Sequence, residues 1–138
     1  MGPYSISLDR PLPTVIPETQ GFWEGTRAGE LRIQACDACG HRQLQASPVC
    51  ATCLSPDLTW QPASGRGTVF SYTVVHHAFH PAFASETPYV VADVELEEGP
   101  IVTTNVVPVL GVRIGLPVEV YFERLTDEIT LPKFRGVA

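Results

Sequence analysis

The sequence carries little charge and almost no lysine. Only 17% of its 138 residues are charged, and nine basic residues stand against fifteen acidic ones, for a net charge of −6. Lys133 is the single lysine. This acidic balance opposes non-specific binding to a phosphate backbone, so we expect no nucleic-acid partner. With 44% hydrophobic residues, the chain can nevertheless bury a core.

Long apolar runs are also missing. No stretch approaches the roughly 20 residues that a membrane helix needs. Residues 1–17 hold four prolines and no apolar segment of the kind found in signal peptides. We therefore expect no membrane contact and a cytoplasmic location. Because such proline density prevents a helix or a central strand, we interpret residues 1–30 as an extended arm followed by a short helix.

The short helix is predicted over residues 18–29, with Thr19 as its cap and Gly29 at its end. Phe22 and Trp23 share one face of this helix with Thr26. The pattern leaves two interpretations open for these two side chains: they belong to the core, or they form an apolar surface that contacts a partner.

Common catalytic signatures are absent. The chain has no G-x-S-x-G motif, no phosphate-binding loop and no cysteine outside two C-x-x-C pairs. The histidines at 76, 77 and 80 invite a second metal site or a general base, but no carboxylate stands at a motif spacing from them. We interpret this cluster as solvated loop residues or as contacts with a partner or ligand, namely His76, His77, Phe79, His80 and Phe83.

The four cysteines are the strongest signal in the chain. Cys36 and Cys39 form one C-x-x-C pair and Cys50 and Cys53 form a second. Two such turns, or knuckles, supply the four thiolates that tetrahedral Zn²⁺ prefers, which predicts a closed structural zinc site. Rubredoxin-like iron and a disulfide pair remain alternatives. The first knuckle has Gly40 after its second cysteine, whereas Leu54 follows the other, so the second knuckle is expected to be less regular.

Alternating apolar and polar residues predict a mainly β fold. Short strands at residues 31–35, 42–46 and 58–61 would build a zinc ribbon over residues 31–62. After a linker at residues 62–65, five more strands would form a five-stranded OB-fold barrel over residues 63–138. These strands are predicted at residues 68–76, 89–96, 101–107, 118–123 and 129–134. The loop at residues 78–88 is the predicted contact loop.

Some OB-fold barrels bind single-stranded nucleic acid, and the charge of this barrel opposes that role. From residue 65 onward, five basic residues stand against nine acidic ones. Because a single strand needs a basic groove lined with stacking aromatic side chains, a nucleic-acid module is the least favoured of the functions considered.

Several segments together resemble a known family. They are Cys-Asp-Ala-Cys-Gly at residues 36–40, Pro-Val-Cys-Ala-Thr-Cys at 48–53, Ser-Gly-Arg-Gly-Thr-Val at 64–69, Pro-Tyr-Val-Val at 88–91 and Ile-Gly-Leu-Pro-Val at 114–118. The sequence resembles the DUF35 family of acyl-CoA-associated proteins, in which a rubredoxin-like zinc ribbon precedes an OB fold. The resemblance covers residues 22–134.

The resemblance implies a non-catalytic accessory subunit of a thiolase-superfamily enzyme. It implies a thiolase or a lipid-transfer-protein-type aldolase as partner, acting on an acyl-CoA such as a steroid side-chain thioester, in a heterotetramer of two plus two subunits. The accessory chain would support the partner's fold and substrate site or channel CoA thioesters, with a MaoC-like hydratase as a further partner. Arg66 lies in the family segment and is a candidate contact for acyl-CoA. A free-standing acyl-CoA carrier is the alternative.

Overall fold

The computed structural model describes residues 11–137, so most of the predicted proline-rich arm lies outside the described residues. A 3₁₀ turn at Pro17–Thr19 leads into helix α1, Gln20–Arg27. Thr19 stands at the N-cap position of α1, but its hydroxyl accepts a hydrogen bond from the Ile16 amide (3.1 Å) and does not cap the helix. The helix therefore begins two residues later than residues 18–29 predict. None of the described helices is long and apolar enough to cross a bilayer.

The zinc ribbon is a three-stranded antiparallel sheet. Its strands are β1 (Arg32–Cys36), β2 (Arg42–Gln43) and β3 (Leu58–Pro62), in the order β2-β1-β3. Strand β2 is shorter than residues 42–46 predict. The reason is that the Gln34 side-chain amide bonds both the amide and the carbonyl of Ser47, at 3.1 Å each, which draws the chain out of the sheet.

Five strands form the closed barrel that the sequence predicts. They are β4 (Arg66–Val75), β5 (Tyr89–Leu96), β6 (Ile101–Val107), β7 (Pro117–Arg124) and β8 (Thr130–Gly136). Their order around the barrel is β4-β5-β6-β8-β7, and every pair is antiparallel except β6 with β8. The alternation along β5 places every second side chain inside, beginning with Val90, which is 1% exposed.

The ribbon and the barrel share one hydrophobic core. Leu31 and Ile33 come from the ribbon side, and both are buried in the same cluster as Val94 and Phe134 of the barrel. The stretch at residues 62–65, predicted as a linker, is hydrogen-bonded on both sides. The Ala63 amide donates to the Leu31 carbonyl at 2.6 Å, and the amide of the next residue, Ser64, donates to the Glu98 carboxylate at 2.7 Å.

Two glycines at the start of the barrel explain the Ser-Gly-Arg-Gly-Thr-Val segment. Gly65 has a φ of +80°, and its carbonyl accepts a hydrogen bond of 2.7 Å from the Val120 amide. Gly67 lies so close to β5 that a Cβ atom would overlap the Glu95 carbonyl oxygen and press on the Val94 side chain. The glycine pattern therefore permits backbone contact between strands.

We predict that Gly67→Ala destabilises the protein by about 2–3 kcal/mol, because the added methyl group meets fixed backbone. Gly136→Ala is the matched control, since its methyl group would lie 3.3 Å from the flexible end of Leu116. Urea unfolding of both variants measures the effect. Equal stability of the two alanine variants would contradict the packing role of Gly67.

Candidate metal centre

The four cysteine sulfurs converge on one point. The Sγ atoms of Cys36 and Cys53 lie 3.6 Å apart, as do those of Cys39 and Cys50, and all four lie within 4.8 Å of one another. Four sulfurs placed tetrahedrally about 2.3 Å from Zn²⁺ stand about 3.8 Å from each other. The donor set and its spacing therefore fit a structural zinc ion held by four thiolates.

Backbone amides favour the thiolate form of the first cysteine in each knuckle. The amide of Cys39 donates to the Cys36 sulfur (3.4 Å) and lowers its pKa. In the second knuckle, the amides of Cys53 and Thr52 lower the pKa of Cys50 to about 6. Both shifts favour the thiolate, which is the form that binds a metal cation.

Desolvation and repulsion between neighbouring thiolates raise the pKa of the other two thiols. The His41 amide favours the thiolate of Cys39, but partial desolvation and the neighbouring sulfurs outweigh it and raise its pKa to about 12. The Ser55 amide acts in the same way on Cys53, whose pKa is nevertheless raised by the Cys36 side chain and by desolvation. A divalent cation at the centre removes this repulsion.

Both knuckles have the same backbone geometry. Gly40 has a φ of +79° and Leu54 a φ of +65°. Each amide donates to the carbonyl of the first cysteine of its knuckle at 2.9 Å. The second knuckle is therefore as regular as the first, contrary to the expectation from Leu54. Its leucine adopts a left-handed conformation while 71% exposed, so no packing compensates for the strain.

A buried pair of glutamines holds the second knuckle against the sheet. The side-chain nitrogen Nε2 of Gln43 donates to the side-chain oxygen Oε1 of Gln34 at 2.9 Å. The side-chain oxygen Oε1 of Gln43 accepts a hydrogen bond from the Ala51 backbone amide, also at 2.9 Å. Gln34 and Gln43 are 5% and 8% exposed. Sequence reasoning missed this pair; the available signal was a polar residue at an inward position of each strand.

The histidine cluster does not assemble into a second metal site. The four cysteines are the one metal-binding group of three or more ligands found among residues 11–137. His80 accepts a hydrogen bond from the Ala82 amide through Nδ1 (3.0 Å) and so caps the 3₁₀ turn Pro81–Phe83. His76 and His77 are exposed, and the ring of His77 packs edge-to-face against Phe79.

Phe22, Trp23 and Arg66 occupy three different environments. Phe22 is half-buried against the shared core and contacts Trp23 edge-to-face, at 5.0 Å between ring centroids. Trp23 lines a shallow groove beside β6 and β8. Arg66 forms a two-pronged ion pair with Glu97, at 2.9 and 3.2 Å, which lowers the pKa of that carboxyl. A role for these three residues in partner or ligand contact stays a prediction.

One apolar cavity lies in the wall of the barrel. Its volume is 370 Å³, a size at the lower end of ordinary ligand pockets. Phe83, Tyr89, Val107 and Val109 supply its apolar lining. Lys133 reaches it too, but its ammonium group lies 2.7 Å from the Glu123 carboxylate. This cavity is suited to an apolar group more than to an anion.

Comparison with known proteins identifies both halves of the chain. The profile described as the ChsH2 rubredoxin-like zinc ribbon domain matches residues 23–59, and the profile of the ChsH2 C-terminal OB-fold domain matches residues 60–123. A DUF35 domain-containing scaffold protein of Methanocaldococcus jannaschii is 34% identical over 67% of this chain and 67% of its own length.

Two longer relatives carry hydratase names. A probable enoyl-CoA hydratase alpha subunit of Thermomonospora curvata is 41% identical over 91% of this chain but only 40% of its own length. The 3-oxo-4,17-pregnadiene-20-carboxyl-CoA hydratase alpha subunit of Mycobacterium tuberculosis is 44% identical over 63% of this chain and 27% of its own. The chain thus spans less than half of these proteins.

Two solved structures share the fold. The structure titled Ltp2-ChsH2(DUF35) aldolase has a TM-score of 0.82 and 39% identity, and the match covers 91% of this chain and 98% of that one. A DUF35 protein of Sulfolobus solfataricus has a TM-score of 0.64 at 15% identity, covering 88% and 86% of the two chains. The second likeness concerns the fold alone.

We predict that the purified chain contains one equivalent of zinc and that Cys50→Ser loses it. Because the binding energy of such a site is part of the folding energy, this variant should also lose the ribbon structure. Elemental analysis and thermal unfolding measure the two effects. The neighbouring exposed residue provides the control variant, Ala51→Ser, which should keep its metal. Iron colour in the wild type would contradict the zinc assignment.

We also predict that Leu54→Gly stabilises the protein by about 0.5–1 kcal/mol. Relief of the left-handed backbone gains about 1–2 kcal/mol, and the added freedom of the unfolded chain offsets part of that. Gly40→Ala tests the reverse change in the first knuckle and should destabilise. Denaturant unfolding at saturating zinc measures the stability of both variants. A loss of stability in Leu54→Gly would show that the leucine side chain has a contact of its own.

Proposed function

Because this chain belongs to the DUF35 family, in its ChsH2-type form of zinc ribbon and OB fold, we propose that it is a non-catalytic accessory subunit. Its partner would be a thiolase-superfamily enzyme that acts on acyl-CoA thioesters. The observation that carries this proposal is the likeness to the Ltp2-ChsH2(DUF35) aldolase, which covers 98% of the solved chain at 39% identity.

The chemistry of the described residues agrees with an accessory role. Four cysteines fill the coordination shell of a zinc ion, which leaves no open position for a substrate or an activated water. Within residues 11–137, no histidine accepts a hydrogen bond from a serine, threonine or cysteine, the contact expected for an activated nucleophile. The partner would therefore supply the catalytic groups.

The finer identity of the complex rests on the resemblance to the DUF35 family. We propose an aldolase of the lipid-transfer-protein type as the partner, in a heterotetramer of two plus two subunits. Its substrate class would be acyl-CoA thioesters with a steroid side chain. A MaoC-like hydratase is a further proposed partner, supported by the hydratase names of the two longer relatives.

We propose that the partner binds the CoA phosphates, because this chain is acidic. Four thiolates around one Zn²⁺ would add two negative charges to a chain whose net charge is already −6. The guanidinium group of Arg66 is held by Glu97, and the ammonium group of Lys133 is held by Glu123. The accessory chain would then contribute to the acyl side of the substrate site.

A free-standing acyl-CoA carrier is the second candidate function. The 370 Å³ apolar cavity in the barrel wall favours it, because a pocket of this kind could accept part of an acyl chain without any partner. Isothermal titration of the isolated chain with acyl-CoA thioesters distinguishes the two functions. Micromolar binding in the absence of a partner would favour the carrier.

The cytoplasm is the proposed location. The four cysteines converge as a set of metal ligands, and a reducing compartment preserves cysteine ligands of this kind.

The proposed function is tested by co-expression with a thiolase-superfamily protein from the organism that encodes this chain. We expect the two proteins to elute together in size-exclusion chromatography, and the partner's carbon–carbon cleavage activity to fall at least about tenfold without this chain. The metal-free variant Cys50→Ser should fail to restore activity. Separate elution combined with unchanged partner activity would refute the accessory role.

A further inference from the structure

A long part of the barrel carries no charged side chain. The uncharged segment, residues 67–85, lies between Arg66 and Glu86 and contains neither lysine, arginine, aspartate nor glutamate. It includes most of β4 and the loop that follows. Several of its aromatic side chains are exposed: Phe70 is 55% exposed, Tyr72 41% and Phe79 81%. Aromatic enrichment and depletion of charge are characteristic of the centre of a protein interface.

Strand β4 has an open edge along this segment. It pairs with β5 through Val75, but its pairing with β7 covers only residues 66–68. Val69 then bonds the loop before β7, through the Gly115 amide (2.8 Å) and the Leu116 carbonyl (3.0 Å). Within residues 11–137, no strand pairs with residues 71–75 on that side. Their outward backbone groups are therefore available for hydrogen bonds.

The open edge is flanked by apolar side chains. A β-bulge between Val69 and Ser71 leaves Phe70 as the extra residue, which is more than half exposed. Ile114 precedes the loop residue bonded to Val69 and is 70% exposed. Tyr72 lies opposite the buried Ala92 in the register, yet it remains accessible because β7 does not extend over it. Apolar side chains thus stand beside unpaired backbone.

We propose that an extended segment of the thiolase-superfamily partner pairs with the β4 edge at residues 71–75 and packs against Phe70, Tyr72 and Ile114. This inference rests on the proposed function and identifies the surface through which it would operate. Added strands of this kind gain affinity from main-chain hydrogen bonds and specificity from alternating side chains. The β4 edge offers unpaired backbone groups for the hydrogen bonds and exposed side chains for the packing.

Charge favours a different protein over a second copy of this chain as the occupant. The strand next to the edge, β5, carries Asp93 opposite Ser71 and Glu95 opposite Thr68. A second copy would bring together two chains that each have a net charge of −6, and the repulsion between them opposes that pairing. A partner with lysine or arginine around an apolar strand is complementary to this surface.

The test uses the complex of this chain with the same thiolase-superfamily protein. Hydrogen–deuterium exchange should show amides within residues 70–75 protected at least about tenfold on complex formation, since an added strand bonds alternate backbone groups. Peptides covering β6 should exchange as they do in the free chain. Unchanged exchange in residues 70–75 would overturn the proposal.

Substitutions examine the side chains of the same surface. Phe70→Lys and Ile114→Lys should each weaken the complex at least about tenfold, because a lysine at the centre of an apolar interface loses its hydration. Ile101→Lys is the matched control on β6, where Ile101 is 43% exposed, and should bind like the wild type. Zinc content and thermal unfolding show whether each variant is folded.

The outcomes separate this inference from the proposed function. If the wild-type chain does not bind the partner, the proposed function fails, and the inference fails with it. If the wild type binds and both lysine variants bind equally well, the surface is wrong and the accessory role stands. If the isolated chain is a dimer that Phe70→Lys dissociates, a second copy occupies the edge and the proposal is overturned.

Discussion

Four thiolates that bind one cation must lie within about 4 Å of each other, and this requirement determines the first half of the chain. It explains why β1 ends at Cys36 and why both knuckles contain a left-handed residue. It also explains why two glutamines are buried beside the second knuckle. The same strand that positions Cys36 buries Ile33 in the barrel core. Strand β1 therefore contributes both to the metal centre and to the core of the barrel.

Electrostatics and backbone pairing together limit what the barrel can bind. Its few basic side chains are largely held in ion pairs, such as Arg66 with Glu97 and Arg135 with Glu119. Its least charged region coincides with the edge where β4 has no partner strand among the described residues. A partner protein can pack against an uncharged surface and pair its backbone with the open β4 edge. A polyanion would meet few free basic side chains and has no strand to pair with that edge.

The sequence predicts the features that depend on local pattern. The cysteine spacing predicted that four sulfurs meet at one point, and the strands predicted at residues 89–96 and 101–107 have the bounds of β5 and β6. Features that depend on distant contacts were missed. The shortening of β2 requires Gln34 to bond Ser47, and the regularity of the second knuckle requires knowing that Leu54 tolerates a positive φ. Neither is visible in periodicity, because the first depends on a tertiary hydrogen bond and the second on the local backbone conformation of one residue.

The pairing pattern of the barrel also has a consequence for how it forms. Neighbours in sequence share long ladders, with β4 and β5 paired from Gly67 to Val75 and β7 and β8 from Val118 to Arg124. The two seams that close the ring are short: β6 and β8 pair at two positions, and β4 and β7 at three. Contacts that close long loops form late because of their entropy cost. The meander β4–β6 and the hairpin β7–β8 should therefore fold as separate units, and ring closure should be the slow, final event.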